Sequence, residues 1–167
     1  SGRGITRNAG SNIPWEVMTD IYQYTLDRDS TTRWNAADCD FKPAMTVIYL
    51  GANDFSSSMA PSYDKFYKDY VRLMGYVKAN YGEDHPILCV STKAHDYLFT
   101  YVKQVAKTCG LKNVEYLGYF PAQHHNTDED LGAGWHPNYK GQQKLAFSII
   151  PYIATITGWG LQDVPVK

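Results

Sequence analysis

Several protein classes are excluded by what this 167-residue sequence lacks. Its longest apolar runs have the length of a β-strand, too short to cross a bilayer. The net charge is −1, so no excess of positive charge favours nucleic acid or an anionic membrane as a partner. The three cysteines, Cys39, Cys89 and Cys109, show neither CxxC spacing nor a neighbouring histidine pair, which argues against a zinc site. Their odd number argues against a disulfide framework and leaves a single bridge open. We expect residues 1–167 to form one domain with a hydrophobic core.

What the sequence does contain is a regular alternation of strand and helix patterns. Three short β-branched and apolar runs predict buried strands at 44–50, 86–90 and 114–119. Helical stripes of apolar residues follow them, in 61–80, in 98–109 and from Asn138 to Gly158, and Pro151 is expected to kink or end the last helix. This order predicts an α/β fold with a parallel sheet covered by helices on both sides.

The first 43 residues are less regular. Ile5 is predicted to lie in a short strand, residues 16–26 in a helix, and residues 27–43 in a long loop.

The first motif with chemical potential is Gly51-Ala52-Asn53-Asp54, directly after the first predicted strand. Ligands and reactive groups of open α/β sheets gather beyond the carboxyl ends of the strands. An asparagine N–H at such a point can donate to a developing oxyanion, which is typically worth about 3 kcal/mol of transition-state stabilisation. The same string also suits a plain turn, so the motif taken alone leaves both interpretations open.

The second motif is Gly134-Trp135-His136-Pro137-Asn138, between the third strand and the last helix. Pro137 and Asn138 mark a helix start, which puts His136 at a loop-to-helix junction above the sheet. A neutral imidazole there can act as general base to a serine, or it can simply form a hydrogen bond near the helix. Trp135 beside it suits either stacking on a sugar ring or ordinary packing.

Together the two motifs resemble those of the SGNH (GDSL-like) hydrolase family. The opening Ser1-Gly2-Arg3-Gly4 resembles the second block of that family, whose glycine supplies a backbone N–H to the oxyanion hole. The motif sequences are closer still to those of one branch, the acetyl-xylan esterases of carbohydrate esterase family two. The strings that carry this resemblance are SGRGITRN, YLGANDF, GWHPN and TGWG, spread over nearly the whole chain.

The resemblance implies a three-layer, flavodoxin-like sandwich and a role for each motif. Gly2 and Asn53 would be the oxyanion donors and His136 the catalytic base, while Trp135 and Asp54 beside them would bind substrate. The implied substrates are acetyl esters on plant polysaccharides, and the implied location is secreted or at the cell surface. No cofactor and no metal are implied.

The nucleophile of the family is missing from this pattern. The family carries it in a Gly-Asp-Ser block that precedes the glycine block, and no such block precedes Gly2 here. Ser30 follows a helix-like segment, and Ser56, Ser57 and Ser58 form a polar run, whereas a nucleophile elbow needs a strand leading into a sharp turn. We therefore expect an upstream segment of the gene product to supply both the serine and the first strand of the sheet. Without that strand, the sheet should have an open position beside 44–50.

An acidic partner for His136 is also absent from its usual place. The family commonly has an aspartate two or three residues before the histidine, and here those positions are Gly134 and Ala133. The resemblance therefore implies a Ser–His dyad, with Asp130 as the nearest acidic candidate.

Other candidate sites are weaker. Asp84-His85-Pro86 precedes a strand and so belongs to the wrong end of the sheet, and His124, His125, Asp128 and Asp130 lack a recognised metal-ligand spacing. No glycine-rich phosphate loop follows a strand, which disfavours a nucleotide or flavin binder. A carbohydrate-binding domain on the same fold, without catalysis, is the main alternative. Its contacts would come from aromatic residues such as the 14 tyrosines.

Overall fold

The computed structural model of the chain describes residues 2–10, 16–26, 29–56, 59–92, 96–119 and 128–161. Within them lie α1 (Met18–Ile21), β1 (Thr46–Ile48), α2 (Tyr63–Tyr81), β2 (Ile87–Thr92), α3 (Asp96–Thr108), β3 (Val114–Tyr119) and α4 (Tyr139–Thr157). The chain divides into two compact units, Ser1–Gly118 and Tyr119–Lys167, which are described separately below. That residues 1–167 form a single domain stays a prediction.

The first unit is built on a three-stranded sheet with β2 between β1 and β3. β1 and β2 run parallel, with Thr46 opposite Ile87 and Ile48 opposite Cys89. α2 connects β1 to β2 and α3 connects β2 to β3, the kind of crossover that parallel strands need. The predicted α/β class is confirmed.

The core of the first unit comes from the apolar stripes of α2 and α3. α2 begins after Ser62, whose hydroxyl accepts a hydrogen bond from the Lys65 N–H at 3.4 Å, and it ends at Gly82. The buried residues that pack together on the sheet are Phe66, Tyr70, Leu73, Met74, Val77, Leu98, Val102 and Val105. Ile87, Leu88, Cys89 and Val90 are all 0% exposed, so β2 is buried on both faces as predicted.

β1 differs because it lies at the edge of the sheet. In the described part of the chain, its only strand neighbour is β2, and Val47 and Tyr49 are 39% and 43% exposed. A groove of about 350 Å³ follows the strand, lined by Met18, Tyr22, Leu73, Val77 and residues 46–50. The short strand predicted at Ile5 is wrong, because Ile5 lies in an irregular loop that does not pair with β1. Among the residues that the structure describes, no strand therefore pairs with the other side of β1.

The remaining N-terminal segment contains less helix than predicted. Helix α1 covers only four residues of the predicted 16–26, because the chain then turns and Tyr24 forms an antiparallel bridge with Arg33. A single 3₁₀ turn, Ala36–Asp38, interrupts the loop that precedes β1.

The second unit is dominated by α4. Asn138 caps its first turn, and the helix ends at Gly158, which takes the left-handed conformation at φ 72°. The early end expected at Pro151 is wrong, since the helix continues to Thr157. Pro151 and Phe147 are both exposed, so water can bond the Phe147 carbonyl that the proline leaves without a donor. No helix in the described ranges is long and apolar enough to cross a membrane.

Candidate active site

The first candidate segment follows the carboxyl end of β1. Gly51 has a φ of 119°, and a Cβ at this position would lie 2.5 Å from the Leu98 Cδ1, so only glycine fits the turn. The chain then enters a short 3₁₀ helix, Ala52–Phe55. This turn leaves Asn53 half-buried, while Asp54 and Phe55 point inward.

Asn53 contacts the glycine block of the N-terminal loop directly. Its Nδ2 donates a hydrogen bond to the Arg3 carbonyl at 2.8 Å. The neighbouring Gly2 has a φ of 79°, and its carbonyl accepts a bond from the Ala9 N–H at 2.7 Å, which closes the loop. The structure thus brings together the segments of Gly2 and Asn53. Because an amide group carries two N–H bonds, Asn53 has a second donor besides the one used on Arg3.

Asp54 is buried and accepts hydrogen bonds from the N-terminal loop. It is 0% exposed, and its Oδ1 accepts bonds from the N–H groups of Thr6 at 2.7 Å and Arg7 at 2.9 Å. Its Oδ2 accepts one from the Ile5 N–H at 2.8 Å. Burial raises the pKa of the Asp54 carboxyl, and the amide hydrogen bonds oppose that shift. Substrate binding by Asp54 stays a prediction, and in this structure its side chain lies inside the loop.

The second candidate segment, around His136, belongs to the second unit. A short 3₁₀ turn, Ala133–Trp135, precedes His136, with Gly134 at a φ of 62°. The His136 carbonyl accepts a bond from the Gly132 N–H at 2.7 Å, and Pro137 forms an antiparallel bridge with Leu131. This narrow loop presents His136 as an exposed residue immediately before α4. The structure describes the backbone of Trp135 but not its side chain, so its binding role stays a prediction.

Asn138 and Asp130 hold the His136 loop on the start of α4. The Asn138 Oδ1 accepts a bond from the Gly141 N–H at 3.1 Å, and its Nδ2 donates to the carbonyls of Glu129 and Leu131 at 2.6 and 3.2 Å. Asp130 is 0% exposed, and its Oδ2 accepts a bond from the Lys144 ammonium at 2.7 Å. The nearest acidic candidate for His136 is therefore engaged with a lysine of α4.

The other candidates do not form a second site. Ser30 is exposed in a turn, and the exposed Ser56 donates its hydroxyl proton to the Asn53 carbonyl at 2.8 Å. His85 lies before β2, at the amino ends of the strands, whereas Asn53 lies beyond the carboxyl end of β1. The His85 Nε2 is 2.9 Å from the Thr46 Oγ1.

Some of the residues weighed as alternatives lie outside the part of the chain that the structure describes, namely Ser57, Ser58, His124 and His125. Among the described residues, no group of three or more His, Cys, Asp or Glu side chains is arranged to hold a metal ion.

Sequence similarity covers both candidate segments. A model of the GDSL-like lipase/acylhydrolase family matches residues 9–149. The cellulase/esterase CelE of Acetivibrio thermocellus is 33% identical over 165 residues, which are 95% of this chain and 19% of that protein. The acetylxylan esterase / glucomannan deacetylase of Cellvibrio japonicus is 26% identical over 165 residues, which are 92% of this chain and 43% of that protein.

A solved structure supports the fold. An acetyl xylan esterase from the rumen bacterium Butyrivibrio proteoclasticus matches with a TM-score of 0.74 at 14% identity. The match covers 96% of this chain and 51% of that one. The chain thus spans only part of each of these relatives: 19% and 43% of the two proteins and 51% of the solved chain.

Proposed function

The chain belongs to the GDSL-like lipase/acylhydrolase family, and we propose that it forms part of an esterase that removes acetyl groups from plant polysaccharides. The observation that carries this proposal is the 2.8 Å hydrogen bond between the Asn53 Nδ2 and the Arg3 carbonyl. This bond joins two sequence-distant segments, each with one of the N–H donors that an oxyanion hole needs. The names of the relatives support acetylated xylan and glucomannan as the substrate class.

The proposed reaction is a two-step acyl transfer. The serine Oγ attacks the acetyl carbonyl and transfers its proton to the His136 imidazole, while the N–H groups of Gly2 and Asn53 bond the resulting oxyanion. The carbon–oxygen bond to the sugar then breaks, and the imidazolium returns the proton to the sugar oxygen. Water hydrolyses the acetyl-enzyme by the same route. We propose a Ser–His dyad without a cofactor, since Asp130 bonds Lys144.

We propose that the serine belongs to an upstream strand that lies in the groove beside β1. The groove has an apolar lining that includes Met18, Val47 and Leu73, which suits a buried strand. Asn53 follows the carboxyl end of β1, so a strand that runs parallel to β1 in the groove would have its carboxyl end on the same side of the sheet as Asn53. A serine in the turn after that strand would meet the geometric need of a nucleophile elbow. Because the polymeric substrates lie outside the cell, we also propose a secreted or cell-surface location.

Acetate release by the full-length gene product tests the proposal. With acetylated xylooligosaccharides, His136→Ala should lower kcat by about three orders of magnitude or more, as expected when a nucleophile loses its base. The melting temperature should hardly change, because His136 is exposed. Gln142→Ala, at another exposed position near the start of α4, is the matched control and should keep wild-type activity.

Covalent labelling tests the position of the nucleophile separately. A fluorophosphonate should modify one serine upstream of Gly2, and mass spectrometry of the digested protein would identify it. Modification of Ser30 or Ser56 instead would show that the serine lies within this chain. Near-normal acetate release by His136→Ala would show that His136 is not the base.

The alternative is a carbohydrate-binding domain without catalysis. The observation that favours it is that Ser30 lies in a turn and Ser56 ends a 3₁₀ helix, so neither stands in a turn directly after a strand. In that case the full-length protein would bind xylooligosaccharides in a calorimetric titration and release no acetate.

A further inference from the structure

We propose that Asp54 is a positioning residue that fixes the N-terminal glycine loop, residues 2–9, against Asn53 and thereby sets the relative position of the two oxyanion donors. The inference rests on the proposed function and adds to it a residue that does not touch substrate. It also explains why a buried carboxylate directly follows the half-buried amide of Asn53.

The first support is the number of hydrogen bonds that end on one carboxylate. The N–H groups of three consecutive residues, Ile5, Thr6 and Arg7, donate to Asp54 at 2.8, 2.7 and 2.9 Å. Bonds of this kind to an ionised acceptor are about twice as strong as bonds between neutral groups. The Arg7 guanidinium also donates to the backbone carbonyl of Asp54. Asp54 therefore holds the middle of the loop by both its side chain and its backbone.

The second support is the close approach at Gly4. A Cβ on Gly4 would lie 2.5 Å from the Asp54 Oδ2 and closer still to the Arg7 carbonyl oxygen. The Gly4 N–H donates to the Asn8 Oδ1 at 3.2 Å, and its carbonyl accepts a bond from the Met18 N–H at 2.8 Å. The loop can therefore close around the carboxylate only if residue 4 has no side chain.

Asn53 and Asp54 hold the same loop at two points. The Asn53 Nδ2 bonds the Arg3 carbonyl, and the Asp54 carboxylate bonds the amides two to four residues further on. Gly2 is one residue from the first of these points, so its N–H has little freedom to move relative to Asn53. Oxyanion donors contribute most when they are held in place before the charge develops. Asp54 would act on the reaction through this fixed geometry.

The substitution Asp54→Asn changes the acceptor with almost no change in shape. An asparagine amide has one acceptor oxygen, so its NH₂ group would face at least one of the three backbone N–H donors. In the full-length protein we expect kcat to fall about 10- to 100-fold, which is part of the loss of a whole oxyanion donor, while KM stays within about threefold. Asp64→Asn, an exposed carboxylate in the first turn of α2, makes the same change of charge and should have wild-type kinetics.

A double-mutant cycle with Asn53→Ala separates positioning from general damage. If Asp54 acts through the donor pair, Asp54→Asn should cost much less activity in the Asn53→Ala background than in the wild type. Equal costs in both backgrounds would overturn the proposal, as would a loss of kcat that only follows the folded fraction measured by circular dichroism. If Asp54→Asn does not fold, Asp54→Glu keeps the charge and displaces the carboxylate by one methylene group, and the same cycle applies.

Amide hydrogen exchange gives a readout that does not depend on activity. The amides of Ile5, Thr6 and Arg7 should exchange faster in Asp54→Asn than in the wild type, and unchanged exchange would overturn the role of the carboxylate in closing the loop. Failure of the wild-type protein to release acetate would instead overturn the proposed function, and with it the catalytic meaning of this loop.

Discussion

The side-chain amide of Asn53 contributes separately to the stability of the fold and to the proposed catalysis, and the substitution Asn53→Ala tests both contributions. In the structure the amide bonds the Arg3 carbonyl at 2.8 Å from a half-buried position. The net contribution of one such bond to the free energy of unfolding is about 1 kcal/mol. As an oxyanion donor, the same side chain should contribute about 3 kcal/mol to the transition state, which corresponds to roughly 100-fold or more in kcat.

These magnitudes predict a small change in stability and a large change in catalysis. Urea unfolding of Asn53→Ala in the full-length protein should show a loss of about 1 kcal/mol. Steady-state acetate release should show the fall in kcat with KM nearly unchanged, because the lost hydrogen bond strengthens mainly in the transition state. Ser56→Ala is the matched control, since it removes a 2.8 Å bond to the Asn53 carbonyl and leaves the Asn53 amide in place.

Three results would contradict this reasoning. A change chiefly in KM would make Asn53 a substrate-binding or turn residue. An equal loss of kcat in Ser56→Ala would mean that the integrity of the turn matters, and not the amide itself. A loss of stability well above about 2 kcal/mol would exceed one hydrogen bond and show that the contact with Arg3 is mainly structural.

Two further predictions concern the loop around His136 and His85, which lies at the amino ends of the strands. A Cβ on Gly141 would lie 2.9 Å from the Pro137 Cβ, so Gly141→Ala should lower both the melting temperature and kcat. Gly75→Ala is the control and should lower neither, because a Cβ on Gly75 would meet open space. Equal effects of the two substitutions would contradict the close contact at Gly141. Burial and Lys78 lower the pKa of His85, so the folded protein favours the neutral imidazole. The neutral ring contributes stability above the unfolded pKa of about 6.5. This contribution is lost as the pH falls through the lower pKa of the folded protein. His85→Gln should therefore show a smaller drop in urea midpoint between pH 7.5 and 5, and an unchanged drop would refute this.

The regular elements could be predicted because their signals are local. The third strand agrees with the predicted range, and Gly82, Asn138 and Gly158 end or begin helices where their backbone preferences predict. Ile5 shows where such signals fail. Its apolar side chain is fully buried, but the segment is an irregular loop because its backbone amides are satisfied by a carboxylate 49 positions away. No pattern within residues 2–10 contains that information.

The catalytic roles of Gly2, Asn53 and His136 stay predictions, and the structure bears only on how their segments are folded. The resemblance identified Gly2 and Asn53 as partners, and the structure gives their segments a direct hydrogen bond. The role of Asp54 could not be deduced, because a carboxylate beside a site residue suits substrate binding and loop closure equally well in a sequence. Burial and three amide donors support loop closure, and both depend on the folded loop. Gly4 and Arg7 were missed for the same reason.

The open edge of β1 connects the stability of the fold with the proposed chemistry. An unpaired strand edge with exposed apolar side chains is costly, since it leaves backbone groups without partners and invites association with other chains. Val47 belongs to this edge, and Asn53 follows its carboxyl end. A strand in the groove would pair this backbone and cover Val47, and its end would carry the proposed serine toward Asn53. One segment would therefore satisfy both needs, so the completion of the sheet and the assembly of the nucleophile with its oxyanion donors would be a single structural event.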